Sequence, residues 1–559
     1  MENFGPAVLD PSCGAGNFLY VALQALLDLE REALEWAALA LGIHESAGVG
    51  VQAVLGLELN RRAAALARLT VWIARLQWSH AHGRGHAGGP GSVGGIECRD
   101  ALLELRPGQA PRRARWPDAE FIVGNPPFLG GKKLRAGLGD HHVDALFAAW
   151  AGRVPREADL GTYFHEMARE MIAEGRCKRA GLLATQGIRG GANLEVLRKI
   201  KASGDIFMAW SDQPWIVDGA AVRVSIVGQD DGSETRRCLD GVAVAVIRAD
   251  LSGGAADGPD LTGAGRLLEN LGVAFMGDTK GGAFDILTEQ ATMLLGAGDN
   301  TNGRPNSDVV VPWMNGLDVL RRPRGRHIID FGVDMSESDA AQYVQPYALV
   351  RAMVLPARRT NKRASYRERW WIHVEARPGL RAAILPLRRF IATPAVGKHR
   401  IFVWLTRPTL PDHQLIIIAS EHAHVFGVLH SRVHELWSLR MCSWLGMGND
   451  PRYTPTTTFE TFPFPWPPAS PNAALTDAQQ AIATAADSLD AARRRWLATE
   501  AERPRTLTAL YNARPAWLAA AHAALDQAVL AAYGWAEDLT DEQLLARLLA
   551  LNRERPRRA

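Results

Sequence analysis

The residues "GNPPF" at positions 124–128 carry the most specific chemistry in this sequence. Two consecutive prolines fix the backbone and remove two N–H donors, so Asn125 is expected on a rigid, extended ledge with its amide pointing outward. The carbonyl oxygens of Asn125 and Pro126 could together accept both protons of an amino group conjugated to a ring, which would make its nitrogen a competent nucleophile. Phe128 offers a flat face for stacking. An isolated Asn-Pro-Pro is more often only a proline-capped turn, so the neighbouring motifs decide its interpretation.

A glycine turn, "DPSCGAG" at residues 10–16, lies more than a hundred residues before this motif. Gly14 and Gly16 have no side chains and tolerate unusual dihedral angles, so a ligand could approach the backbone closely. The phosphate-binding spacing GxGxxG is absent. Taken alone, the turn is equally consistent with tight packing of a strand against the following helix.

Two acidic residues follow the next apolar runs of the chain. Glu58 ends the segment 51–60, and its carboxylate has two oxygens that could accept hydrogen bonds from two ribose hydroxyls. Asp100 lies in the next segment, "IECRDALL" at residues 96–103, and could accept from an exocyclic amine. Each acid alone could equally be a solvated loop residue. Their order behind the glycine turn favours a nucleoside-type ligand.

The elements that must position these residues are short apolar strands alternating with helices. Strands are predicted at residues 6–10, 51–60, 120–124, 180–186, 205–211, 221–228 and 242–248. Apolar residues at helical spacing predict one helix from Phe18 and another around Leu66, with a Gly/His-rich loop over residues 79–95. This alternation predicts an α/β fold with a doubly wound, mostly parallel, Rossmann-like sheet, in which ligands bind at the carboxyl ends of the strands.

Composition limits the class of protein. A chain of 559 residues exceeds one hydrophobic core, and 47% apolar with 22% charged residues is typical of a globular protein. The five cysteines form no CxxC pair, so neither a disulfide framework nor a metal site is predicted. No apolar run of membrane-spanning length and no signal-peptide pattern is evident. We therefore expect a soluble protein of the cytoplasm with no membrane partner.

These motifs together resemble those of adenine-N6 DNA methyltransferases in the gamma arrangement, in which the cofactor motif precedes the catalytic motif. The resemblance implies that S-adenosylmethionine is the cofactor and double-stranded DNA the partner. It assigns cofactor binding to Asp10, Cys13, Gly14, Gly16, Glu58 (ribose) and Asp100 (adenine ring), and catalysis on the target adenine to Asn125, Pro126, Pro127 and Phe128.

A closer similarity is to the methyltransferase and recognition portion of the single-chain type IIG and IIL restriction-modification enzymes. It rests on segments between about residues 8 and 465, among them "GNPPFLGGKKLR", "ADLGTYFHEMA", "ATQGIRGGAN", "GRPNSDVVVPWMNGLD" and "GNDPRYTPTTTFETFPFP". The similarity implies a restriction-modification or phage-defence system, and with it a prokaryotic cytoplasm.

The sequence departs from that family at its start. Only nine residues precede Asp10, where family members usually have a helical element that closes over the cofactor, and no D…(E/D)xK nuclease motif in a strand context is found. These departures predict a methyltransferase without its nuclease domain, and a partner chain is the candidate source of the missing helix or nuclease. The alternative is a catalytically silent DNA-binding fragment of a split or truncated restriction-modification protein.

The remainder of the chain is predicted to bind DNA and to end in helices. Beyond a catalytic domain at 1–250 and a Gly/Ala-rich linker, the resemblance implies a mixed α+β target-recognition domain at 268–468, followed by an alanine-rich helical region at 472–559. Basic residues interleaved with aromatics are the candidate DNA contacts: Arg321, Arg322, Arg369, Lys398 and Arg400. For any single member, a solvated face is the alternative, as a core position is for Trp370 and Trp371.

Other substrates and sites are compatible with the same motifs. Protein-glutamine and RNA amino methyltransferases use Asn-Pro-Pro chemistry too, although the large arginine and aromatic region argues against a small protein substrate. His141 and His142 could suggest a metal site, but a surface loop beside the catalytic motif is the preferred interpretation.

Overall fold

The computed structural model describes residues 7–44, 46–83, 94–217, 220–254, 258–298, 300–445, 450–469, 474–499 and 505–558. Parts of the predicted Gly/His-rich loop, at 84–93, and of the predicted linker, at 255–257, lie outside the described residues. The chain forms two compact units, Met1–Gly258 and Pro259–Ala559.

The first unit alternates strands and helices, as the sequence predicts. Its strands are β1 (Val8–Asp10), β2 (Val54–Glu58), β3 (Ile96–Cys98), β4 (Leu103–Glu104), β5 (Arg112–Arg113), β6 (Phe121–Gly124), β7 (Arg179–Thr185), β8 (Asp205–Val217), β9 (Ala220–Asp230), β10 (Arg237–Leu239), β11 (Val242–Val244), β12 (Val246–Ile247) and β13 (Gly253–Gly254). Its helices are α1 (Asn17–Leu41), α2 (Arg61–Ala81), α3 (Leu134–Leu138), α4 (Asp140–Ala149), α5 (Leu160–Ala173) and α6 (Leu194–Ser203).

The main sheet of this unit has, within the described residues, the strand order β11-β10-β8-β9-β7-β6-β1-β2-β3. The pairs β1–β2, β1–β6, β2–β3, β6–β7 and β8–β10 are parallel. Strand β9 runs antiparallel to both β7 and β8. The predicted doubly wound, mostly parallel sheet is confirmed. Strands β8 and β9 pair antiparallel because the connection between them is too short for the crossover that a parallel pair requires.

Apolar side chains cover both faces of this sheet. Neighbouring residues of β1 point to opposite faces, so Val8 packs with Leu19 and Val71 of the first two helices, whereas Leu9 packs in the cluster that contains Tyr163 of α5. Apolar side chains therefore exclude water from both faces of the sheet at β1. The carboxyl ends of the parallel strands β1, β2 and β6 meet at one edge of the sheet. That edge is where the motif residues must come together.

The second unit is mixed α+β and ends in helices, as predicted. Its strands are β14 (Ala274–Met276), β15 (Asp285–Ile286), β16 (Val310–Met314), β17 (His327–Ile329), β18 (Arg389–Pro394), β19 (Val403–Thr406), β20 (Leu410–Pro411), β21 (Leu415–Ile418), β22 (Ser443–Leu445) and β23 (Asp450–Arg452). Its helices are α7 (Thr288–Gly296), α8 (Gly316–Leu320), α9 (Glu337–Ala340), α10 (Val344–Met353), α11 (Leu355–Arg359), α12 (Ala364–Glu368), α13 (Pro378–Ile384), α14 (Ala423–His430), α15 (Arg432–Met441), α16 (Asp477–Ala498), α17 (Leu507–Ala513), α18 (Ala516–Tyr533) and α19 (Asp541–Glu554).

One apolar cluster joins the C-terminal helices to the preceding part of this unit. Leu489 of α16, Val529 of α18 and Leu548 of α19 are fully buried together with Phe426 and Trp437 of helices α14 and α15. The predicted boundary between a recognition domain and a helical region, near residue 470, stays a prediction. In the described part of the chain, no helix is both long and apolar enough to span a bilayer.

Candidate active site

The glycine turn connects β1 to α1 and needs glycine at two positions for different reasons. Gly14 and Gly16 have φ angles of +54° and +87°, in the left-handed region that glycine adopts readily. A Cβ on Gly16 would lie 3.0 Å from the Cα of Ala67 in α2, so this glycine allows the two helices to pack. A Cβ on Gly14 would meet nothing within 4 Å. The backbone at Gly14 therefore faces open space that a ligand could enter.

Glu58 is bound directly to this turn. Its Oε2 accepts a hydrogen bond from the Gly14 N–H at 3.0 Å, and its Oε1 accepts from the Asn60 N–H at 2.7 Å. Each carboxylate oxygen can accept a further hydrogen bond. The end of β2 thus presents a half-buried anionic acceptor beside the glycine turn, consistent with the predicted ribose contact, which stays a prediction.

Cys13 contributes to the turn through its backbone. Its N–H donates to the Leu57 carbonyl at 3.0 Å, and its side chain is buried. A Cβ on Gly56 would lie 2.9 Å from the Cys13 Sγ, so the sulfur packs against β2. Any contact between Cys13 and a cofactor would therefore have to come from the main chain.

Asp10 links the glycine turn to the strand that carries the Asn-Pro-Pro motif. Its side chain is 1% exposed, and its Oδ1 accepts from the Ser12 N–H at 3.0 Å. A Cβ on Gly124 would lie 2.7 Å from the same oxygen, so only glycine fits beside it in β6. Burial raises the pKa of Asp10 to about 7; the Ser12 N–H opposes this rise and the negative charge of Glu58 adds to it.

We expect the stability of the protein to depend on pH through Asp10. Because its pKa is raised from 3.8 to about 7 in the folded protein, the folded state holds a proton that the unfolded state releases. Wild-type stability should therefore fall relative to that of Asp10→Asn as pH rises through this window, and the difference should become constant above it. Melting temperatures of the two proteins across the accessible part of the window measure this. Parallel pH profiles would contradict the burial effect.

Asn125 follows β6 immediately and has an unused acceptor. The prediction that the Asn125 amide points outward was wrong for its oxygen, because the surrounding chain covers it. Within the described residues, the Oδ1 is buried and has no hydrogen-bond partner. Pro126 is buried, Pro127 is exposed and Phe128 is half-buried. A buried, unpaired carbonyl oxygen costs free energy unless a ligand satisfies it. The site therefore has an open hydrogen-bond acceptor at the position where the sequence predicts recognition of an amino group.

Asp100 lies after β3 and is already partly engaged. Its Oδ1 accepts from the N–H groups of Leu102 and Leu103 at 2.7 and 3.0 Å. Its Oδ2 lies 3.5 Å from His142 Nε2. The predicted contact of Asp100 with an adenine ring stays a prediction, and it would use the oxygen that faces His142.

The prediction that His141 and His142 lie in a loop was wrong. Both belong to α4, which starts at Asp140 after Gly139, whose φ of +82° makes the turn between two helices. An acidic residue in the first turn favours this helix start. No group of three or more potential metal ligands lies close together within the described ranges.

The candidate DNA contacts belong to the second unit and differ in exposure. Arg321, Arg322, Arg369 and Lys398 are exposed. Arg369 donates to the Val333 carbonyl and Lys398 to Asn512 Oδ1, the latter at 2.9 Å. These four residues remain predicted DNA contacts.

Arg400 does not fit the expectation of an exposed DNA contact. Its side chain is 6% exposed, and its guanidinium lies over the Tyr453 ring, 4.8 Å from the centroid. Trp370 and Trp371 are also buried, in an apolar cluster of this unit. The sequence did not predict the burial of Arg400, because an arginine in an aromatic-rich segment can either reach solvent or stack on a buried ring.

Comparisons with known proteins agree with this geometry. Residues 5–240 match the family model described as "MmeI, DNA-methyltransferase domain". DNA methyltransferase A of Bacillus subtilis (strain 168) is 25% identical over 236 residues, which cover 39% of this chain and 26% of that protein. This chain thus matches only about a quarter of the length of that curated relative.

A solved structure shares the fold over nearly the whole chain. The type IIL restriction-modification enzyme MmeI in complex with DNA has a TM-score of 0.73 to this chain at 19% identity, covering 98% of this chain and 73% of that one. The predicted α/β methyltransferase fold and the resemblance to the type IIL group are confirmed.

Proposed function

We propose that this chain, whose residues 5–240 match a DNA-methyltransferase domain, transfers a methyl group to the N6 amino group of an adenine extruded from double-stranded DNA. The observation that carries the proposal is the buried Oδ1 of Asn125, to which no described residue donates a hydrogen bond, at the edge where the glycine turn also lies. An acceptor held there without a partner suits an amino group that arrives with the substrate. We further propose that the reaction belongs to a restriction-modification or phage-defence system.

The residues of the glycine turn fit S-adenosylmethionine. The open space at Gly14 leaves room for a ligand close to the main chain, and the Glu58 carboxylate beside it can accept hydrogen bonds from ribose hydroxyls. Asp100 would contact the adenine ring of the same cofactor. When bound, S-adenosylmethionine would supply the electrophilic methyl group.

The Asn125–Phe128 segment would prepare the target amine. Asn125 Oδ1 and the Pro126 carbonyl would accept the two N–H protons of the adenine amino group, which draws the nitrogen lone pair away from the ring and toward the methyl group. Phe128 would stack on the extruded base. The two prolines keep both acceptors on a fixed backbone, so little reorganisation is needed during transfer.

The proposal is tested by modified-base sequencing of DNA from a methylation-deficient bacterial host that expresses the full chain. We expect N6-methyladenine at one sequence motif. Methylation on another base, or methylation of RNA or protein only, would refute the adenine assignment. An absence of any mark with soluble, S-adenosylmethionine-binding protein would favour the silent DNA-binding fragment instead.

A further inference from the structure

A compact polar cluster is hydrogen-bonded to the loop at residues 129–131, which follows the Asn-Pro-Pro-Phe motif. We call it the Asp159–Asn193 clamp; it comprises the side chains of Asp159, Thr162, Thr185 and Asn193. These residues belong to the segments 158–168 and 184–193, which the family resemblance had marked without a function.

Asn193 is the centre of this clamp. Its side chain is only 8% exposed. Its Oδ1 accepts from the Asp159 N–H at 2.7 Å and from Thr162 Oγ1 at 3.0 Å. Its Nδ2 donates to Asp159 Oδ2 and to the Gly187 carbonyl, both at 3.1 Å. All four hydrogen-bonding positions of this amide are used, so the side chain has one defined orientation.

Asp159 connects the clamp to the loop that follows residues 125–128, which we call the catalytic segment. Its Oδ1 accepts from the Gly131 N–H at 2.9 Å, and its Oδ2 accepts from Thr185 Oγ1 at 3.3 Å. Asp159 is the N-cap residue of α5, yet its side chain makes no capping hydrogen bond to that helix. An aspartate at this position usually caps its own helix. Here the carboxylate is instead directed to the loop and to Asn193.

The first turn of α5 also contacts the catalytic segment through its backbone. The Leu160 N–H donates to the Leu129 carbonyl at 2.9 Å, and the Leu129 N–H donates to the Pro127 carbonyl at 3.1 Å. A Cβ on Gly161 would lie 3.9 Å from Pro126 Cβ, which places the helix backbone against that proline. The start of α5 and residues 126–131 are therefore joined at several points.

The clamp is important because the two prolines of the catalytic segment form no main-chain N–H hydrogen bonds that would hold it in place. Pro126 and Pro127 have no N–H group, so the main chain there can donate no hydrogen bond to the surrounding protein. On the N-terminal side, the segment is held by β6, where Gly124 pairs with Leu182 of β7. On the C-terminal side, it is held by the bonds from Asp159 and Leu160 to residues 129–131.

We propose that Asp159 and Asn193 are positioning residues for methyl transfer, which fix the Pro126 carbonyl and Phe128 relative to Asn125. This inference rests on the proposed function. Loss of the clamp should leave the glycine turn intact, because none of its residues bonds to Gly14 or Glu58. It should lower the rate of transfer without weakening cofactor binding, since a displaced acceptor affects only the reacting geometry.

The test compares full-length Asn193→Ala with wild type and with Gln229→Ala as a matched control. Gln229 is also a buried amide, and its Nε2 donates to the His165 carbonyl farther along α5 at 3.3 Å, away from the catalytic segment. The probes are tritiated S-adenosylmethionine and DNA from a methylation-deficient host. In single-turnover reactions, we expect a loss of rate on the order of 10²-fold for Asn193→Ala. Its Kd for S-adenosylmethionine should stay at the wild-type value, and Gln229→Ala should transfer at nearly the wild-type rate.

An exchange of the two side chains separates positioning from general stability. Asp159→Asn alone places an amide nitrogen against the Asn193 amide nitrogen, and Asn193→Asp alone places a second carboxylate against Asp159. Asp159→Asn with Asn193→Asp restores a donor opposite an acceptor and requires Thr185 Oγ1 to accept instead of donate, while the Gly187 carbonyl loses its donor. We expect the double variant to be faster than Asn193→Asp alone, because it removes the opposed carboxylates, and this comparison also serves if Asn193→Ala does not fold. Equal rates for Asn193→Ala and Gln229→Ala, or a double variant no faster than Asn193→Asp, would overturn the inference. An inactive wild-type protein would instead overturn the proposed function.

Discussion

Replacing Asn125 with alanine is expected to remove nearly all methyl transfer while cofactor binding persists. The Asn125 Oδ1 is the acceptor assigned to the target amine, and it makes no hydrogen bond to any described residue of the chain. Loss of one such preorganised group typically lowers a reaction rate by on the order of 10²–10³-fold. Modified-base sequencing of host DNA should show no mark, and single-turnover reactions with tritiated S-adenosylmethionine should give the residual rate. The Kd for S-adenosylmethionine, measured by calorimetry, should change little.

The stability of the same variant provides a second, independent readout. A buried acceptor without a partner costs free energy in the folded protein, so its removal should leave the melting temperature unchanged or raise it. A residue with a purely structural role would behave in the opposite way, because alanine would remove contacts that stabilise the fold. Retained methylation, or a large fall in melting temperature that accounts for the lost activity, would contradict the catalytic assignment of Asn125.

Replacing Glu58 with alanine is expected to have the largest effect on cofactor affinity. The substitution removes the acceptor of the Gly14 and Asn60 N–H groups and, in the proposed complex, the acceptor of the ribose hydroxyls. Hydrogen bonds to a charged group contribute about 1.5–3 kcal/mol each, so loss of even two should weaken binding by roughly 10²-fold or more. Calorimetric titration with S-adenosylmethionine measures this directly.

Glu97 provides the matched control for this measurement. It lies on the neighbouring strand β3, is half exposed and forms an ion pair with Arg99 outside the glycine turn. Glu97→Ala should bind S-adenosylmethionine as wild type does, and Glu58→Gln, which keeps one acceptor oxygen, should show an intermediate loss. If Glu58→Ala and Glu97→Ala bound the cofactor equally well, the nucleoside site would have to be sought elsewhere.

Substitutions of Asn125 and Glu58 test two different parts of the proposed function, the transfer step and cofactor binding, and each should change a different kinetic parameter. Loss of Glu58 should raise the cofactor concentration needed for half-maximal rate, whereas loss of Asn125 should lower the maximal rate at saturating cofactor. The Asp159–Asn193 clamp should resemble Asn125 in this respect, although it touches no reacting atom. The three substitutions together separate cofactor binding, direct contact with the amine and positioning of the catalytic segment.

Residues in the second unit show where reasoning from residue type was insufficient. The exposed Arg321 and Arg322 keep their place as candidate DNA contacts, whereas Arg400 is buried against Tyr453. All three occur in segments that mix basic and aromatic residues. Burial of a long side chain depends on which elements pack over it, and that information is not local in the sequence.

The sequence by itself determined the local chemistry and the elements that carry it. Short apolar runs with acids or glycines at their ends predicted β1, β2 and β6, and the amide and double proline at 125–127 predicted an acceptor on a rigid backbone. These features follow from the conformations of individual residues and from hydrophobic periodicity, both of which act over a few positions.

Only the tertiary structure decided which distant residues share a site. The Gly14 N–H reaches a carboxylate 44 positions away, Asp10 lies against Gly124, and Asp159 bonds to Gly131 while Asn193 orients it. No periodic pattern encodes such pairs, because they arise from the order of strands in the sheet and from the packing of helices on its faces. The sequence thus predicted an acceptor for an amino group. The fold decided that no described residue donates to this acceptor and which side chains hold its loop in place.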